Sequence, residues 1–381
     1  MAVFRSELLR STETYVRNQG EAVQRYRSHY VGLRRVEGLE LPEDRTLVLN
    51  TGDRLGRARE ALFERFGVSP TLDRAVRALR PAVVHAHLGY DGVTALPLVR
   101  RLGVPLVTTF HGSDATVNDE ELLRLGGVYR AYVHRRDALK RHGRLFIAVS
   151  EFVRGRMIER GWPDERIAVH YIGVDTECLR PDPAVVREPI VFFAGRLMEV
   201  KGVTHLIVAM RAVQARVPEA ELVVAGRGKL RQQLERQASE AGVRARFLGV
   251  ASPAEVRAWM NRARVFCLSS VTAATGHTEA LSTVAMEAQA MGLPVVAFHS
   301  GGTAEAVVDG ETGLLVRERD EVGLAERITA LLTEPPLWTR LSAAGMERVR
   351  ARFDLRRQTA LLEELYDAAR RPVPGRAATR G

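Results

Sequence analysis

The sequence predicts an α/β protein built from two halves, each a parallel β-sheet covered by helices. Short β-branched or apolar runs alternate with longer stretches at helical spacing. The runs are almost continuously apolar, as strands buried on both faces must be. The alternation is broken once, by a segment rich in proline and charge.

In the first half the expected strands are Thr46–Leu49, Ala82–His85, Leu106–Phe110 and Leu145–Val149. In the second half they are Ile190–Phe193, Glu221–Val224, Val265–Leu268 and Pro294–Phe298. Between the later strands, Thr204–Arg216 and Ala254–Ala263 carry apolar residues at helical spacing. The interruption, Asp175–Glu188 with Pro181 and Pro183 and followed by Pro189, reads as a linker. The expected organisation is therefore a domain over 1–178, a linker over 179–188 and a second domain over 189–350. A C-terminal helix over 351–370 is expected to pack back on the first domain, and 371–381 to form a disordered tail.

Charge and cysteine content narrow the function classes. The chain of 381 residues has a formal net charge of +10, and the excess is scattered among acidic residues rather than gathered in a run. A solvated basic surface is expected, with a weak pull towards an anionic membrane face and no dedicated nucleic-acid patch. The two cysteines, Cys178 and Cys267, lie far apart, which suits a reducing compartment and neither a disulfide framework nor a zinc site. Met1–Arg10 is too charged for a signal peptide, and no apolar run reaches membrane-spanning length. A cytoplasmic protein, peripheral at the inner membrane face at most, is expected.

Ligands of open parallel sheets bind beyond the C-terminal ends of the strands, so the residues after each strand carry the chemistry. The richest such segment is His277 to Glu287. A helix from about Ser282 to Met291 would leave the N–H groups of Ser282, Thr283 and Val284 free at its positive end, an anion site. Glu279 and Glu287 bracket it with seven residues between them. Carboxylates beside an anion site need hydroxyls to bind, and a diphosphate flanked by ribose and sugar supplies both. Lone glutamates would instead be read as a dipole partner and a solvated helix residue.

Gly195 allows close backbone approach after a strand, and Arg196 and Lys201 could clamp a diphosphate and stabilise it as it leaves, replacing a metal. In Gly226-x-Gly228 the third glycine of a dinucleotide fingerprint is replaced by Arg231, which argues against an NAD enzyme. His111-Gly112 ends a strand in the first half, with His85 and His87 at the end of the preceding one. Three histidines invite a metal, but no carboxylate stands at ligand spacing, and none is expected.

Together these segments resemble family 4 of the glycosyltransferases, retaining enzymes with the GT-B fold of two Rossmann-like parallel-sheet domains facing a central cleft. The matching residues are Gly195-Arg196 with Lys201-Gly202, Gly226-x-Gly228, Phe247–Gly249, Glu279 with Glu287, Ala290–Val296, and Gly301-Gly302 through Glu305 to Val316. Ser11–Gln19, His85–Gly89, Thr109–Asp114 and His170–Asp175 resemble a subgroup that builds exopolysaccharides of the colanic-acid type. The resemblance implies that Arg196 and Lys201 hold the donor diphosphate, that Glu287 binds the ribose and that Glu279 binds the transferred sugar. It further implies that the amides of Ser282, Thr283 and Val284 contact the distal phosphate, that Leu248 lies near the base and that His111 faces the donor sugar. A UDP- or GDP-sugar would be the co-substrate, with no cofactor or metal, and a glycan, lipid-linked molecule or metabolite would be the acceptor. Where many members carry Gly-Gly, Ser11–Thr14 stands here. Either Ser11 or Thr12 simply caps the following helix, or Thr12, Glu13 and Thr14 line the acceptor site. A nucleotide-sugar epimerase on the same fold and a non-catalytic binding protein are the competing readings.

Overall fold

The computed structural model describes residues 1–371, so the predicted tail beyond Arg371 lies outside the described residues. The chain divides into two compact units. One comprises residues 1–149, 153–170 and the chain from Arg356 on; the other comprises Ser150–Phe152 and Tyr171–Leu355.

The first unit holds strands β1 (Ala2–Leu8), β2 (His29–Arg35), β3 (Thr46–Asn50), β4 (Val84–His87), β5 (Leu106–Phe110), β6 (Leu145–Ala148) and β7 (Ile167–Val169). They pair in the order β3-β2-β1-β4-β5-β6-β7, parallel throughout. Every residue of β5 is buried, as a central parallel strand requires. The last helix, Leu355–Arg370, belongs to this unit. Its Leu362, Tyr366 and Ala369 recur at helical spacing and enter a core with Val3, Tyr30, Val107 and Ile147. The Tyr366 hydroxyl lies 2.7 Å from Nδ1 of His85, which ties this helix to the end of the sheet.

The second unit holds β8 (Ile190–Ala194), β9 (Glu221–Ala225), β10 (Ala245–Gly249), β11 (Val265–Leu268), β12 (Val295–His299) and β13 (Gly313–Arg317). Their order is β10-β9-β8-β11-β12-β13, again all parallel. The helix Val203–Arg216 lays Leu206, Ile207, Met210 and Val213 on this sheet.

The segment expected as a linker belongs to the second unit. Arg187 donates to the carbonyls of Met260, Ala263 and Met291, Glu188 pairs with Arg262 at 2.7 Å, and Asp182 N donates to Asn261. Its prolines deny it secondary structure, and side-chain bonds fix it instead. Residues 171–178 also fall with the second unit.

Candidate functional site

In the second unit the candidate residues converge at the C-terminal strand ends. After β8 the chain makes a short turn, Glu199–Lys201, closed by Gly202 at φ 59°. A side chain on Gly202 would meet the Ser269 carbonyl at 1.9 Å, so only glycine lets this turn lie against the end of β11. Val271 N donates to Val200 O at 2.8 Å and Ser269 Oγ to Lys201 O at 3.1 Å. The Lys201 backbone is thereby fixed. Its ammonium donates to Glu279 Oε2 at 2.6 Å, and Ser270 Oγ donates to the same oxygen at 3.0 Å. Burial alone would raise the Glu279 carboxyl, but Lys201 and Ser270 outweigh it and hold it below the ordinary carboxylate range. Lys201 and Glu279 thus form one unit. The ammonium has three donors and spends one here.

Glu287 is different. It lies on the helix Thr283–Ala290, on the half-buried face it shares with Thr283 one turn earlier. No described residue gives its carboxylate a hydrogen bond or a counter-ion, and burial pushes it up to about 7. Ser282 caps this helix, its Oγ accepting from Ala285 N at 3.3 Å. The N–H groups of Ser282, Thr283 and Val284 donate to no described protein group.

Arg196 is exposed and has no carboxylate partner among the described residues. Gly195 carries less of the close packing than the sequence suggests. A Cβ there would meet the Phe193 ring at 3.3 Å and the Lys201 Cδ at 4.0 Å, whereas one on Gly226 would lie 1.8 Å from the Gly195 carbonyl. Leu248 sits where the register of β10 shifts against β9, a bulge that re-aims the end of the strand beside Gly226. One participant was not foreseen: Ser270 follows β11 with no local signal. His277, which opens the segment singled out in the sequence, is pushed down by burial and by the nearby Arg196 and Lys201 cations.

In the first unit, His111 follows β5. Its Nε2 lies 3.0 Å from Nδ1 of His87, and its ring packs on Tyr15 at 4.8 Å. Burial and neighbouring cationic groups push His87 and His111 well below the usual histidine range, so both are neutral. Asp114 accepts from the amides of Gly89, His111 and Gly112 at 2.8, 3.1 and 2.9 Å and locks this turn. His85 is taken up by Tyr366 and by Thr109, at 2.6 Å from the latter, which is a structural use.

Glu13 is the N-cap of the helix Thr14–Ala22, although its side chain makes no capping bond, and neither Ser11 nor Thr12 caps it. Both Glu13 oxygens are engaged within the unit: one pairs with the buried Arg5, the other accepts from Arg10 N at 3.0 Å. Arg5 also donates to Asp91 at 2.6 Å and to His87 O at 2.7 Å. Glu13 therefore holds the end of β1, which leaves Thr12, exposed, and Thr14, half-buried, as the open residues there.

The two all-parallel α/β units, the second with a paired and an unpaired carboxylate near an open helix start, are of the class that glycosyltransferase families share. Residues 176–348 match the family described as glycosyl transferases group 1, and residues 12–178 match glycosyltransferase family 4. A protein of Escherichia coli named as the colanic acid biosynthesis glycosyltransferase WcaL is 35% identical over 262 residues, 66% of this chain and 61% of that protein. The match thus spans less than two thirds of that relative. A glycogen synthase of Mycobacterium tuberculosis is 30% identical over 77% of this chain and 70% of its own length. A GDP-mannose-dependent alpha-(1-6)-phosphatidylinositol monomannoside mannosyltransferase of Mycolicibacterium smegmatis is 33% identical over 62% of this chain and 66% of its own. Among solved structures, Anabaena Alr3699/HepE with UDP and glucose superposes with a TM-score of 0.76 at 20% identity, covering 96% of this chain and 99% of that one. The chain belongs to the GT-B glycosyltransferases.

Proposed function

We propose that the protein is a retaining glycosyltransferase that moves a hexose-type sugar from a nucleoside-diphosphate sugar to an acceptor hydroxyl. The carrying observation is the contrast between two glutamates of one unit: Glu279 is paired with Lys201 at 2.6 Å, and Glu287 has no partner among the described residues. A half-buried carboxylate without a partner carries a desolvation cost, and ribose hydroxyls would relieve it.

In this reading Glu287 accepts from the ribose. Arg196 and the two remaining Lys201 donors take the diphosphate with the amides of Ser282, Thr283 and Val284. Gly226 and Leu248 border the base. Glu279 accepts from hydroxyls of the transferred sugar, and the family resemblance assigns His111, held neutral, to that sugar as well. As the bond from the anomeric carbon to the phosphate breaks, the acceptor oxygen bonds to that carbon from the same face. The departing phosphate takes the acceptor proton. Arg196 and Lys201 stabilise the charge that develops on the diphosphate, the part a metal plays elsewhere.

Thr12 and Thr14 are assigned to the acceptor. Names of similar proteins, one acting on a phosphatidylinositol monomannoside and one in colanic acid biosynthesis, favour a glycan or lipid-linked acceptor over a soluble metabolite. A cytoplasmic site at the inner membrane face fits that acceptor; no described helix is long and apolar enough to cross a membrane.

The test is a panel of UDP- and GDP-sugars with glycan, lipid-linked and metabolite acceptors, run with and without a chelator. We expect nucleoside diphosphate release and a product that keeps the donor's anomeric configuration, undiminished by chelation. Isomerised donor with no transfer would instead make the protein an epimerase.

A further inference from the structure

The helix Arg54–Phe66 presents apolar side chains to solvent. Among the described residues, four of the eleven exposed large apolar residues, Leu55, Leu62, Phe66 and Val68, fall within residues 55–68, while the other seven are scattered. Leu55, Leu62 and Phe66 are spaced by seven and four, so they form one stripe on the helix. Phe66 is 65% exposed and Leu55 58%. The adjoining side, about a quarter turn round the helix, is anchored: Gly56, Glu60 and Phe63 are buried, and Glu60 pairs with Arg34 at 2.8 Å.

Both ends of this helix are closed. Asp53 caps the start through Gly56 N, and Gly67, at φ 68°, ends it. It is a formed element with an outer face that no described residue covers. Arginines border that face: the exposed Arg54 and Arg65 on one side and the half-buried Arg59 on the other, with the Arg65 guanidinium 5.8 Å from the Phe66 ring centre, while the exposed Arg57 lies on the far side of the helix. Arg135 adds a further exposed cation, donating to the Arg65 carbonyl at 3.3 Å. Glu64 is the single exposed carboxylate of the helix.

Leucine and phenylalanine in a stripe fringed by guanidinium groups match the water–lipid boundary, where acyl chains lie below anionic headgroups. A second copy of the chain fits less well. A two-fold contact through this face would set the same arginines against each other. We propose that the helix Arg54–Phe66 is the surface by which the protein docks on an anionic bilayer, with Leu55, Leu62 and Phe66 entering the headgroup region. This deepens the reading of a membrane-presented acceptor and rests on it. Its test uses no turnover, so its failure and the failure of that reading are separable.

The experiment is sedimentation of the full chain with vesicles of phosphatidylcholine alone or mixed equally with phosphatidylglycerol. A Phe66→Trp variant reports insertion by its emission. We expect pelleting with the anionic vesicles only, weakened by salt, and a blue shift of the new tryptophan. Leu55→Ser/Leu62→Ser/Phe66→Ser should weaken binding by about tenfold or more, with thermal melting showing that the fold persists. Arg54→Gln/Arg59→Gln/Arg65→Gln should weaken it as well, whereas Arg211→Gln/Arg216→Gln/Arg236→Gln, with the same loss of charge elsewhere, should not. Equal loss in both arginine sets would reduce the effect to net charge and overturn the proposal. So would unchanged binding by the apolar variant, or no vesicle binding together with a dimer that the apolar variant abolishes.

Discussion

Glu287 and Glu279 are eight residues apart and meet opposite electrostatic fates. Burial raises Glu287 to about 7 from 4.5, while Lys201 holds Glu279 low. The raised value has a consequence for stability. The folded chain keeps the Glu287 proton up to about pH 7, whereas the unfolded chain loses it near 4.5. Between those values the unfolded state binds fewer protons, so this group makes stability fall as pH rises. The upper bound is about 3 kcal/mol at about 1.4 kcal/mol per unit, and partial exposure reduces it to about 1–2 kcal/mol. Glu287→Gln should therefore melt higher than wild type at pH 8 and equally at pH 4.5. Melting curves at the two pH values check this. At the paired site, Lys201→Ala leaves the Glu279 carboxylate uncompensated. We expect a loss of about 2–3 kcal/mol, below the range for a fully buried pair because Lys201 keeps 18% exposure. Lys201→Ala/Glu279→Ala should recover part of it in a denaturant double-mutant cycle. The two glutamates were legible in the sequence because a helix start and two carboxylates stood close together. Ser270 and the bond from Gly89 to Asp114 were not, because each joins residues after different strands and leaves no local pattern.

At the scale of elements, the central strands were legible and several others were not. β7, β10 and β13 lie at or next to sheet edges and carry mixed patterns, such as Ala-Arg-Phe-Leu-Gly in β10. β1 and β2 are interior strands, yet Arg5, Glu7 and Arg34 interrupt them. Those charges are paired, Arg5 with Asp91 and Glu13, and Arg34 with Glu7 and Glu60. Periodicity cannot see pairing partners dozens of residues away. Loops at the strand ends give a further prediction. Gly301 has φ 52°, and a Cβ there would lie 2.0 Å from the Glu279 carbonyl; Gly310 has φ 72° and open space around it. Both alanine variants pay the left-handed backbone cost of about 1–2 kcal/mol. Gly301→Ala should lose clearly more and also weaken nucleotide binding, because the Glu279 backbone must move. Gly310→Ala should lose only the backbone cost, as paired melting and binding titrations would show.

For the whole molecule, two sheets in one chain were legible from strand–helix alternation, but the division between them was not. Proline content marked 179–188 as the joint, yet Arg187 and Glu188 fasten that segment to the second unit. The return of the last helix to the first unit depends on Leu362 and Tyr366 entering a core built from residues near the chain start. Because each unit has its own core, Tyr366→Ala should cost about 3–5 kcal/mol in the first unit alone. We expect calorimetry of that variant to show two separated transitions, the earlier one belonging to the first unit.

The central claim is that the second unit binds a nucleoside diphosphate through Lys201, the open helix start and Glu287. Titration calorimetry of the full chain with UDP and GDP tests it most directly, using wild type, Glu287→Ala and Lys201→Ala, each confirmed folded at the titration temperature. We predict saturable binding of one of the two nucleotides, weakened by about tenfold or more in each variant, as the loss of one charged hydrogen bond implies. Binding of both nucleotides by both variants with wild-type affinity would contradict it.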